Sequence, residues 1–201
     1  MHRIKTIHRV ASMGLSLFII LHLINHLLAW GGIELHAQFM EGLRVVYRHP
    51  LGEGLLFALI LTQIISGIWQ IRQIPKADRR QNRLQIFAGI YLMIFMLAHS
   101  SAVQAARYIL DLDTNFHFAS IVLLDQSSRI FFIPYYTLGI VAFFAHMGTG
   151  LRWYFAERYR KAFLWTMLGV GFLVALGIIT VFSGWVYDIP RIADYDKVLL
   201  F

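Results

Sequence analysis

Nine histidines and no cysteines set the chemistry open to this chain. Four of the histidines, His22, His26, His99 and His146, fall inside long apolar blocks. An ionisable side chain at membrane depth is rare and turns to the bundle interior, a partner or a ligand. Imidazole there can hydrogen-bond between helices, pass protons or ligate iron. The lack of cysteine excludes disulfides, cysteine-held iron–sulfur clusters and thioether-attached haem. No three ligands cluster at one level, which argues against zinc. The other five histidines, His2, His8, His36, His49 and His117, lie in tails or connections and are read as solvated.

The elements that must position these residues are transmembrane helices. Of 201 residues, 58% are hydrophobic and 14% charged, and the mean hydropathy is +0.62. A soluble domain of this size needs more polar surface. Five apolar blocks, 10–30, 51–71, 84–105, 130–151 and 163–185, reach the roughly 20 residues that a span requires. The basic segment 1–9 gives the first block the look of a signal peptide, but its apolar stretch is too long, and it is read as a retained helix. Residues 1–201 thus form a single all-α membrane domain, an integral bundle of five transmembrane helices. The connection 106–129 mixes Phe116, Phe118, Ile121 and Leu123 with charge, which predicts an interfacial helix.

Charge gives the orientation. Basic residues gather before the first block (Arg3, Lys5, Arg9), in the second connection (Arg72, Lys76, Arg79, Arg80, Arg83) and in the fourth (Arg152, Arg158, Arg160, Lys161). Acidic residues balance or outnumber them elsewhere, as with Asp111, Asp113, Asp125, Asp188, Asp194 and Asp196. The positive-inside rule then places the N-terminus in the cytoplasm and the C-terminus outside. The net charge of +7 reports this topology and not a nucleic-acid partner. Trp30, Trp153, Trp165 and Trp185 fall near span ends, as interfacial aromatics do.

Depth follows from the helix rise. From the inner edge, His22 lies roughly 18 Å along the first span and His99 roughly 21–22 Å along the third. Two imidazoles at matched depth on parallel helices suit axial ligation of one haem, and bundle cores commonly hold such cofactors. His146 lies roughly 8–10 Å from the inner edge, too far along the normal to share that iron. A partner for His146 is expected from the second span, which offers Thr62, Gln63 and Ser66 but no histidine. His26, one turn beyond His22, could replace it, meet a haem propionate or line a quinone pocket. Gly67, Gly148 and Gly150 permit close approach of a macrocycle or of another helix.

At these residues the chain resembles the single-chain, five-helix cytochrome b anchor of succinate dehydrogenases and fumarate reductases. The landmarks are Ile7-His8-Arg9, His22-Leu23-Ile24-Asn25-His26, Gln38-Phe39-Met40-Glu41, His99, and His146-Met147-Gly148-Thr149-Gly150-Leu151. The resemblance covers nearly the whole chain. It implies that His22 and His99 ligate a distal haem b and that His146 is the fourth-helix ligand of a proximal one. Where the family has a second-helix histidine four residues before glycine, this chain has Gln63 before Gly67.

The resemblance further implies a cytoplasmic flavoprotein (FAD) subunit, an iron–sulfur subunit and a quinone, menaquinone by expectation, in the inner (cytoplasmic) membrane. With no nucleotide-binding glycine motif and no cysteine, the chain would not oxidise succinate itself. His26, Ser100, Ser101 and Gln104 are the expected quinone or propionate contacts, and His36 or Glu41 the route for protons. The competing readings are a cytochrome b of another dehydrogenase, a haem-free anchor, and a small proton-linked transporter.

Overall fold

The computed structural model describes residues 2–79 and 82–200. Arg80, counted in the second basic connection, lies outside them. Five helices are long and apolar enough to cross a membrane. They belong to α1 (His2–Leu28), α3 (Pro50–Gln73), α4 (Arg83–Tyr108), α6 (Arg129–Leu151) and α7 (Glu157–Phe182). A helix satisfies its backbone polar groups internally, which is what an apolar surround demands. The outward side chains match that surround. Leu17, Ile65, Phe87, Ile94 and Leu173 are each at least 60% exposed. No strand occurs among the described residues.

Two further helices lie inside connections. After a 3₁₀ turn at Ala29–Gly31, Gly32 takes φ +111°, a conformation that favours glycine, and turns the chain into α2 (Ile33–Tyr47). From the sequence this segment reads only as a connection. The α5 helix (Phe116–Leu124) starts where the Asn115 side chain accepts hydrogen bonds from the His117 and Phe118 amides. The expected helix is there. Phe116, Ile121, Val122 and Leu123 are at most 3% exposed, because α5 is wedged among α6, α7 and the C-terminal 3₁₀ segment Ala193–Leu200.

The helices associate in two groups. In one, α1 packs antiparallel on α3, with Gly14 facing Leu59. In the other, α4 packs on α6, and α6 on α7. Small residues make those contacts close. A Cβ on Gly139 would lie 2.6 Å from the Phe95 ring, and one on Gly171 2.8 Å from Phe144. The groups join where α1 meets α7 and α3 meets α4. Elsewhere the backbones of α4 and α6 stand off from α1, and side chains bridge the space.

Candidate functional site

Those bridging side chains are histidines. His22 on α1 and His99 on α4 place their ring centroids 6.1 Å apart at an interplanar angle of 65°. Metal–imidazole bonds of about 2 Å put two rings flanking one ion about 6 Å apart between centroids. Aromatic neighbours hold both rings. Phe18 stacks on His22 at 5.8 Å, and Phe95 lies almost parallel to His99 at 5.4 Å and 7°. Tyr136 meets His99 edge-on at 6.4 Å. The nitrogens of His99 have no hydrogen-bond partner among the described residues.

A hydrogen-bonded chain leads from His22 towards the end of α1. His22 Nε2 lies 3.1 Å from His26 Nε2, and His26 Nδ1 lies 3.4 Å from His36 Nε2. The Asn25 amide nitrogen, which can only donate, gives its hydrogen bond to His36 Nε2 at 3.1 Å. That donor fixes the sense of the chain. His36 Nε2 accepts, His26 donates from Nδ1, and His22 donates from Nε2 to His26. Ligation through His22 Nε2 would therefore shift its proton to Nδ1 and replace the contact to His26 with the metal.

His36 corrects its reading as a solvated loop residue. It is 1% exposed, because α2 folds back over α1 and carries it onto His26, Phe116 and Phe182. Burial, with the Arg44 charge second, lowers its pKa to about 4, so it is neutral at pH 7. Its Nδ1 and the Asn25 carbonyl oxygen are buried without partners among the described residues. Arg44 joins the cover above this cluster. It pairs with Glu41 at 2.5 Å and with Asp113 at 2.8 Å, and Arg48 also reaches Asp113 at 3.0 Å. Partial burial pushes the Asp113 carboxyl up, but the hydrogen bonds from Arg48 and Arg44 outweigh it and hold the group low.

His146 lies at the other end of the bundle, as its position in the sequence implies. The structure redirects the search for its partner. Gln63 donates to the His8 carbonyl at 2.7 Å, so its amide serves α1 instead of meeting His146. The ring facing His146 is His8, with centroids 6.4 Å apart. His8 was read as a solvated tail residue. In fact α1 begins at His2 and carries His8 onto Ser66 of α3 at 2.8 Å.

The expected quinone contacts divide. His26 belongs to the histidine chain. Ser100, Ser101 and Gln104 line an open groove with Phe57, Tyr108 and Ile109 between α3 and α4. Ser100 donates to the Met96 carbonyl at 2.5 Å. Gln104 donates to Glu53 at 2.9 Å, and its own carbonyl oxygen is buried without a partner among the described residues. Glu53 also pairs with Arg107 at 2.6 Å.

No family model, curated protein or solved structure matches this chain.

Proposed function

We propose that this chain is the haem b-bearing membrane anchor of a succinate dehydrogenase/fumarate reductase-like complex. In that role it passes electrons between a flavoprotein/iron–sulfur module and a quinone, menaquinone by preference, in the cytoplasmic membrane. The single observation that carries the reading is the His22–His99 pair. Two imidazoles from helices whose backbones stand apart meet at the spacing that one iron between them would need. The donor set fits: two imidazole nitrogens, orientation by stacked Phe18 and Phe95, and, among the described residues, no charged side chain in ring contact. Bound there, haem b supplies a one-electron iron couple.

The chain's own residues do the rest. His22 and His99 hold the group, and the phenylalanines fix the ring planes. Quinone reduction consumes two electrons and two protons, and His36 and His26, which stay hydrogen-bonded to each other when His22 holds the iron, would form the buried end of a proton route. The open groove lined by Ser100, Ser101 and Gln104 would take the quinone ring, with the Ser101 hydroxyl as a polar contact. The basic N-terminus and the basic second and fourth connections favour docking of soluble subunits on the N-terminal face.

Replacing His99 with Ala and recording the reduced-minus-oxidised spectrum of purified membranes tests this. Loss of at least one b-type band per chain is expected, and an unchanged spectrum sinks the proposal. The histidine series favours one second reading, a proton-conducting protein without haem. Absence of a Soret band, together with proton flux in liposomes that His36→Ala abolishes, would select it.

A further inference from the structure

His146 has no second-helix histidine to face, yet the bundle supplies a histidine from another direction. His8 of α1 and His146 of α6 bring their rings to 6.4 Å and 72° across the gap between the two helix groups. The hydrogen bonds around them fix both tautomers. The Ser66 hydroxyl donates to the Thr62 carbonyl and therefore accepts from His8 Nδ1 at 2.8 Å. The Gln85 carbonyl, 3.2 Å from His146 Nδ1, can only accept. Each ring thus carries its proton on Nδ1 and a lone pair on Nε2. A histidine anchored through one nitrogen to a carbonyl or hydroxyl, with the other left basic, is the arrangement of a metal ligand.

The ordinary alternative is a structural histidine pair joined by a hydrogen bond between the rings, and these tautomers disfavour it. With both protons on Nδ1, the two Nε2 lone pairs cannot hydrogen-bond to each other. The neighbouring helices are also shaped to the rings. A Cβ on Gly89 would come within 3.1 Å of His146, and Gln63 pins the α1 backbone beneath His8. His8 precedes His22 by 14 residues, about 21 Å along α1, so this pair is separate from the first.

We infer that His8 and His146 are the axial ligands of a second haem b, nearer the N-terminal face, with α1 supplying the ligand that α3 lacks. This rests on the proposed reading of the chain as a haem protein. The test is haem per chain by pyridine haemochrome, with low-temperature EPR, on the full chain purified with its complex. Wild type should give two haems and two low-spin signals. His8→Ala should lose one haem and one signal, keep those that depend on His99, and regain the lost signal with added imidazole. His8→Met keeps a ligand and should change one signal while leaving the other intact. Unchanged haem number and signals in both His8 variants would overturn the inference while leaving the His22–His99 reading standing. A wild-type chain without any haem would overturn both.

Discussion

A buried imidazole is useful to the extent that its proton is defined, and the two ends of this bundle define protons differently. Near the N-terminal face, Ser66 and the Gln85 carbonyl fix His8 and His146 as isolated acceptors. At the other end, Asn25 orders His36, His26 and His22 into a directed series. None of this could be read from the sequence, because tautomers follow from partners and the partners lie on other helices. Two histidines were also misplaced for a definite reason. Taking the first span to begin at the apolar residue 10 leaves His8 in a tail, although the helix starts eight residues earlier. His36 sits among Glu34, Glu41 and Arg44, a polar context that hides a side chain 1% exposed.

His36 also gives a pH dependence. Its pKa of about 4 in the fold lies below the unfolded value of about 6.5. Above pH 6.5 neither state binds the proton, and the stabilisation is complete. Between 6.5 and 4 the unfolded chain takes up a proton that the folded chain refuses, so stability falls across that window. The thermal midpoint of the detergent-solubilised protein should drop between pH 6.5 and 4, and His36→Gln should flatten that part of the curve. An equal slope in the variant would show that another group is responsible.

At the scale of elements, the five spans were legible because long apolar blocks admit no other solution in a membrane. The two helices within connections were legible unequally. The apolar run 116–124 announces α5, although not that it would be buried. The α2 helix is short and carries charges, and only the Gly31-Gly32 pair hints that the chain turns back there. How the spans group was not legible either, since glycine spacing permits close approach without naming the partner. The structure names Phe95 as the partner of Gly139, and Phe95 is also the ring stacked on His99. Gly139→Ala should therefore do two things. It should destabilise the α4–α6 contact by about 1–3 kcal/mol, the usual cost of overpacking. It should also shift the low-spin haem signal that depends on His99. A thermal midpoint and an EPR spectrum on one sample read both, and a destabilised protein with an unmoved signal would break the link.

At the scale of the molecule, the helix order puts the N-terminus and the connections holding Arg72, Lys76, Arg79, Arg83, Arg152, Arg158, Arg160 and Lys161 on one face. Asp78 and Glu157 are the acidic residues of that face, and the other nine lie towards the opposite one. With the proposed orientation, the His8–His146 end lies on the cytoplasmic side and the His22–His99 end on the outer side. Because the chain has no cysteine, sidedness can be read with single introduced cysteines. Asp188→Cys should react with a membrane-impermeant maleimide in intact cells, and Lys76→Cys only after permeabilisation. The reverse pattern would invert the orientation and with it the expected docking face.

The central claim is that histidines bridging two helix groups hold iron. The most direct measurement is the low-temperature EPR spectrum of the oxidised wild-type chain, calibrated against haem b per chain. Low-spin ferric haem with two imidazole ligands is expected, and His99→Ala should remove it, leaving at most the His8–His146 signal. A purified, folded chain with no haem, or with low-spin haem indifferent to His99, would contradict it.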